Sequence, residues 1–231
     1  MSKIMVLLSG GIDSTTCLAM ARDKHPKENV IAVCLYYGQK HVKEISSAAA
    51  VANHYEVPLI QHDISSVMKF SNCPLLSKST EQIKHESYAD QLKEIGGEGT
   101  VSTYVPFRNG LFIAAAASIA LQLGCDEIWY GAHADDAAGR AYPDCTPEFV
   151  DYMRKAVEEG TAGKVTLRAP LLFFNKGEVV LCGSELGAPY ELTWSCYEGG
   201  DKPCGTCGTC RDRIHAFEVN GLVDPLMEEE E

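Results

Sequence analysis

Positive charge is scarce in this chain: 20 Lys and Arg stand against 32 Asp and Glu, a formal net charge of −12. A surface of that sign repels a polyanion unless basic residues are concentrated locally, so long nucleic-acid partners are disfavoured. Long apolar runs are missing as well. Hydrophobic residues make up 45% of the 231 positions, enough for a sizeable core. No stretch approaches the ~18–20 consecutive apolar residues of a membrane helix, and no membrane partner is expected. The first apolar run opens at Ile4, which leaves no room for a signal peptide. The expected compartment is cytoplasmic, where ten cysteines serve as metal ligands and reduced thiols rather than a disulfide frame. Two common phosphate-binding patterns are also absent. No lysine follows the first glycines, as G-x-x-x-x-G-K-[ST] requires, and there is no G-x-G-x-x-G.

What is present is Ser9-Gly10-Gly11-Ile12-Asp13-Ser14-Thr15, directly after the apolar run Ile4-Met5-Val6-Leu7-Leu8. The run reads as a short buried strand. The glycines permit a sharp turn and close approach to a ligand, and Ser14 is placed to cap a helix that follows. Strand, glycine turn and opening helix aim several free N–H groups and the positive helix end at one spot, where an anion is stabilised. The hydroxyls of Ser9, Ser14 and Thr15 add donors. The segment resembles the S-G-G-x-D-S signature of the PP-loop ATP pyrophosphatases, which split ATP between its α and β phosphates and use AMP to activate an oxygen.

Strands and helices alternate along the chain. Residues 30–36 read as a second buried strand and 40–55 as a helix with Ile45, Ala48, Ala49 and Ala52 on one face. A third strand begins at 58–60. Residues 71–100 are polar and lack periodicity, an excursion long enough to form a lid. An alanine-rich helix is expected over 109–124, a strand over 126–131, a helix over 147–159 with Pro147 in its first turn, a strand over 164–172 and a helix over 176–186. This order predicts an α/β fold, a parallel sheet with helices on both faces. Ligands of such sheets bind beyond the carboxyl ends of the strands, where the glycine turn lies.

Near the other end stand Cys196, Cys204, Cys207 and Cys210, spaced C-x7-C-x2-C-x2-C among glycines that permit tight turns. Four thiolates describe a closed structural zinc site, with an iron–sulfur cluster as the rival because C-x2-C-x2-C also occurs in ferredoxins. The expected organisation is a nucleotide-binding domain over 1–190, a zinc-binding segment with a helix over 191–223, and an acidic tail over 224–231 that can be removed at little cost.

With both motifs in view, the chain is similar to the 7-cyano-7-deazaguanine synthase (QueC) family over nearly its whole length. The stretches that carry the likeness, besides the glycine turn, are Tyr37-Gly38-Gln39-Lys40-His41, Val105-Pro106-Phe107-Arg108-Asn109, Tyr142-Pro143-Asp144-Cys145, Asn175-Lys176-Gly177-Glu178 and Thr193-Trp194-Ser195-Cys196-Tyr197. Phe107 stands where the family commonly has glycine, and residues 131–141 differ from the shorter stretch of many members. The resemblance implies a Rossmann-like fold of the adenine nucleotide alpha hydrolase type, a homodimer, structural zinc and ATP with magnesium. It implies the conversion of 7-carboxy-7-deazaguanine, ATP and ammonium to a nitrile. No glutaminase segment is visible, so free ammonium or a separate partner is the expected nitrogen source. By the same resemblance Leu8, Ser9, Gly10, Gly11, Ile12, Asp13, Ser14, Thr15, Thr16, Cys17 and Leu18 line the ATP site. Asp13, Lys176, Arg108 and Asp144 are the candidate catalytic residues, and Asp136 a candidate for magnesium or the base. Two other readings are a tRNA-thiolating PP-loop enzyme, which needs a reactive cysteine and a basic surface, and a QueC-like protein that serves another target or only senses nucleotide.

Overall fold

The computed structural model describes residues 2–227. Five parallel strands form one sheet in the order β3-β2-β1-β4-β5: β1 (Ile4–Leu7), β2 (Val30–Tyr36), β3 (Leu59–Asp63), β4 (Glu127–Trp129) and β5 (Thr166–Arg168). The chain moves outward from β1 through β2 to β3, then returns to place β4 on the other side of β1. The crevice where the direction reverses therefore opens at the carboxyl end of β1, where a parallel sheet leaves room for a ligand.

Alternation along β1 divides the core. Ile4 and Val6, with Leu8 just beyond the strand, pack with α1 (Ile12–Lys24), α2 (Lys43–His54), α7 (Lys176–Glu185) and α8 (Gly208–Glu218) through Leu18, Val51, Val180 and Phe217. Met5 and Leu7 face the opposite layer, α4 (Arg108–Leu123) and α6 (Pro147–Gly160), through Ile113, Ala120 and Val150. Burial on both faces is what a near-continuous apolar strand requires. Two short helices, α3 (Tyr88–Glu94) and α5 (Ala134–Ala137), complete the eight α-helices of the described residues.

The expected strands and long helices are all present, with shorter strands at 127–129 and 166–168. Residues 71–100 carry α3, with Ser87 accepting the N–H of Asp90 as its cap. Two expectations change. Ser14 does not cap a helix. α1 already opens at Ile12 behind Gly11, and the Ser14 hydroxyl instead accepts the N–H of Ser9 at 3.1 Å and donates to the carbonyl of Gly11 at 3.1 Å. It thereby knots the turn. The acidic tail does not begin at residue 224. Asp224 is 4% exposed and pairs with the equally buried Arg213, while Leu226 and Met227 pack near the cysteine-rich segment. The run 228–231 lies outside the described residues.

Gly10 is the position that the turn cannot change. It holds φ +86°, and a Cβ there would sit 2.4 Å from the carbonyl oxygen of Glu44 and 2.6 Å from the N of Ala48. Strain and clash with backbone act together, so Gly10→Ala should displace the turn from α2 and abolish nucleotide binding. Calorimetric titration with a non-hydrolysable ATP analogue checks this, with near-wild-type affinity as the contrary result.

Candidate functional site

A cleft of about 480 Å³ opens at the carboxyl ends of β1, β2 and β4. Its floor is the turn after β1, where Leu8, Ser9, Gly11, Ile12, Asp13 and Ser14 all reach the surface. Ser9 and Ser14 hydroxyls lie 3.0 Å apart. No side chain caps α1, so its first-turn N–H groups remain available to an anion. The rest of the expected ATP stretch points elsewhere. Gly10 packs on α2. Thr15, Cys17 and Leu18 are completely buried, and the Thr16 hydroxyl is engaged by the carbonyl of Ile12 and by Tyr190. These four hold the helix in place and do not line the cleft, since a helix presents only its first turn to a ligand at its end.

Lys176, at the first turn of α7, reaches across to this floor. Its Nζ donates to both carboxylate oxygens of Asp13, at 2.6 and 2.7 Å. Burial pushes the Asp13 carboxyl up, but Lys176 and His133 outweigh it and hold the group below its ordinary value. Burial pushes Lys176 down, and Asp13 and Asp136 more than restore it. Both groups therefore stay charged at neutral pH, within a low-dielectric recess that strengthens their effect on a ligand. A lysine at a helix start opposes the helix dipole. Here an Asn175–Glu178 capping box satisfies the helix end, and the Lys176 N–H donates to Asp135 at 2.7 Å.

The chain after β4 adds groups that sequence reasoning assigned little or no role. His133 is 3% exposed, and its Nε2 lies 3.4 Å from Asp136, 3.4 Å from Lys176 and 3.7 Å from Asp13. Asp212, from α8, also lines the cleft, and burial raises its carboxyl to about 6 despite the nearby Lys176. Asp136 was already a candidate, and placement at a strand's carboxyl end could have signalled His133 as well. Nothing local in the sequence could signal Asp212, which arrives from more than thirty residues beyond Lys176.

Arg108 and Asp144, named together as catalytic candidates, part ways. Arg108 faces the cleft and donates to the Tyr37 hydroxyl at 3.2 Å, its guanidinium 5.2 Å from the Tyr37 ring centre. Asp144 does not line the cleft. Its carboxylate accepts the N–H of Asn109 at 2.9 Å and its carbonyl accepts from the Asn109 side chain. It caps α4 from across the chain, because Phe107, the residue before that helix, supplies no cap. Phe107 also holds φ +53°. The glycine expected there by resemblance would meet that left-handed conformation without strain, whereas Phe107 packs its ring edge-on to Phe149 at 5.9 Å.

The sulfurs of Cys196, Cys204, Cys207 and Cys210 lie within 4.8 Å of one another. Backbone N–H groups of Glu198 and Cys204 point at the Cys196 sulfur, and that of Cys207 at the Cys204 sulfur. Such donors favour thiolates, and the set fits a tetrahedral metal centre. The segment is not remote from the cleft. Trp194 donates its N–H to the carbonyl of Gly10 at 2.9 Å, and Tyr197 lines the cleft wall.

Fold and site together define an α/β protein of the PP-loop type. A solved structure of the U34-tRNA thiolase NcsA from Methanococcus maripaludis, with its 4Fe–4S cluster, shares the fold at a TM-score of 0.51 and 16% identity, over 95% of this chain and 65% of that one. Residues 3–221 match the family described as Queuosine biosynthesis protein QueC, and the chain belongs to that family. It is 41% identical to the 7-cyano-7-deazaguanine synthase of Archaeoglobus fulgidus, over 99% of this chain and 91% of that protein. It is 38% identical to the one from Oceanobacillus iheyensis, over 97% of each. No described helix is long and apolar enough to cross a membrane.

Proposed function

We propose that this chain is an ATP-dependent ligase that converts 7-carboxy-7-deazaguanine and ammonium to 7-cyano-7-deazaguanine, in queuosine biosynthesis. The observation that carries this reading is the match to 7-cyano-7-deazaguanine synthases along nearly the whole chain, in a molecule whose cleft sets an uncapped helix start beside a half-buried lysine.

The chemistry explains why ATP is spent. A carboxylate is a poor electrophile, because its charge is delocalised. Its oxygen attacks the α-phosphorus of ATP and pyrophosphate leaves. Ammonia then adds to the acyl carbon and AMP departs with the oxygen and a proton is lost, which yields the amide. The amide oxygen attacks the α-phosphorus of a second ATP, and pyrophosphate leaves again. Loss of both N–H protons and of AMP leaves carbon triply bonded to nitrogen.

In this scheme the N–H groups at the start of α1 and the Ser9 hydroxyl hold the phosphates, Ser14 braces the turn that presents them, and Lys176 meets the charge that grows on the departing pyrophosphate. Asp13 keeps that ammonium in position. Asp136, with Asp135 beside it, would hold the magnesium that accompanies ATP, whose charge screens the phosphate oxygens. A tRNA-thiolating role would need a reactive thiolate, and burial pushes the Cys17 and Cys145 thiols well above their ordinary value.

Mass spectrometry with ATP, magnesium, labelled ammonium and 7-carboxy-7-deazaguanine tests the assignment. Label should enter first an amide and then the nitrile, and the amide supplied alone should be converted with AMP release. ATP binding without AMP formation, or sulfur transfer to tRNA, would refute it. Size measurement in solution should give a homodimer.

Zinc is the metal we propose for the four cysteines. Tetrahedral Zn–S bonds of about 2.3 Å set sulfurs ~3.8 Å apart, whereas a cubane cluster puts each thiolate on a different iron and spreads them further. The purified protein should be colourless with about one zinc per chain by atomic emission, as four-thiolate sites hold. Cys204→Ser and Cys207→Ser should lower stability more than Cys17→Ser. A brown protein with charge-transfer absorbance would favour iron and sulfur.

A further inference from the structure

Besides the phosphate cradle and Lys176, the cleft lining includes polar groups that the scheme above leaves unused. Glu44, in the first turn of α2, turns its side chain into the cleft. It does not cap its own helix, and among the described residues its carboxylate accepts no hydrogen bond. Burial raises that carboxyl to about 7, with only the charge of Arg108 in opposition. A half-buried carboxylate that no protein group engages is free to accept N–H groups from a ligand. Arg108 complements it. Of its five N–H donors, one is spent on Tyr37, and the guanidinium lies over the rings of Tyr37 and Phe112, whose centres are 5.7 Å apart. Glu44 and Arg108 do not pair with each other, so each keeps its valence for something between or beside them.

We infer that Glu44 and Arg108 read the 2-aminopyrimidin-4-one edge of the base, with Tyr37 and Phe112 as the apolar wall beside its ring. This inference rests on the function proposed above. The edge carries, side by side, a ring N–H and an exocyclic amine that donate, and a carbonyl oxygen that accepts. A carboxylate accepts from the first two in a fork, and a guanidinium donates to the third. The adenine of ATP offers the wrong pattern, because the ring nitrogen beside its amine is an acceptor and would face the carboxylate lone pair to lone pair. The two nucleobases that this reaction brings into one cleft are thus told apart by one acidic and one basic side chain. The sequence singled out Arg108 but not Glu44, which looks like an ordinary first-turn acid of α2.

Steady-state kinetics on the full-length, metal-loaded protein test the pair. Glu44→Gln should raise KM for 7-carboxy-7-deazaguanine roughly 10- to 100-fold, the range of one charged hydrogen bond, and leave KM for ATP within about twofold. The wild type should disfavour the analogue that lacks the 2-amino group by a similar factor, and Glu44→Gln should lose that preference. A rise confined to the KM for ATP would put Glu44 on the nucleotide and overturn the inference, as would equal losses for base and analogue. If Glu44→Gln does not fold, the wild type decides, since indifference to the 2-amino group overturns the assignment. Calorimetric binding of the base separates the two levels. Binding that depends on Glu44 without nitrile formation refutes the function but keeps the pair, and nitrile formation without dependence on Glu44 does the reverse.

Discussion

Lys176→Met should lower turnover by about 10²–10³-fold, the usual consequence of removing one preorganised transition-state group. The loss should fall mainly on kcat and less on KM for ATP, because the lysine acts most as charge develops on pyrophosphate. In the free protein its ammonium is already held between the two oxygens of Asp13, at 2.6 and 2.7 Å. It therefore spends no energy on reorganisation when ATP arrives. Lys176→Met also leaves Asp13 and Asp136 facing each other's charge around His133, so some stability is lost as well. Thermal melts run alongside separate the two effects. A variant with unchanged kcat and a lower melting temperature would show that the Lys176–Asp13 pair is structural. Ser9→Ala and Asp13→Ala should depress turnover in the same way.

Truncation after Val223, or Asp224→Ala alone, should destabilise the fold by about 3–5 kcal/mol, the penalty for orphaning one partner of a buried ion pair. For a domain of this size that is a drop of roughly 6–20 °C in melting temperature. Arg213 is 1% exposed and donates to Asp224 through two nitrogens at 2.7 and 2.8 Å, to the Thr193 hydroxyl at 2.7 Å and to the carbonyl of Tyr190 at 3.2 Å. It fastens α8 to the chain that leads into the cysteine cluster, and Asp224 supplies the only carboxylate bonded to it among the described residues. Truncation after Met227 removes none of these contacts and should be neutral. Differential scanning calorimetry on the two truncations isolates the contribution of the Arg213–Asp224 pair.

The sheet and the cradle were legible from residue order alone. Runs such as Ile4-Met5-Val6-Leu7-Leu8 are apolar on both faces because helices cover both, and that pattern admits little but a parallel sheet. A glycine at φ +86° beside helix backbone is a local requirement, and local requirements are written in the chain at the place where they act. The four cysteines were legible for the same reason, since three of them sit within one turn and one loop.

Other features depend on distance in sequence. Asp144 reads as a catalytic acid in an exposed loop, yet the tertiary structure spends it on the open end of α4, where Phe107 provides no cap. The acidic look of the last eight residues hides Asp224, whose meaning comes only from an arginine buried eleven residues earlier. Asp212 and Glu44 join the cleft because α8 and α2 happen to dock beside it, and nothing in their immediate neighbours demands this. Hydrophobic periodicity and turn chemistry are short-range properties, so the sequence by itself determined the α/β sheet, the glycine turn and the cysteine cluster. Charge pairing and burial act through space, so only the tertiary structure decided which acids and bases face the cleft, which merely hold a helix, and where the tail begins.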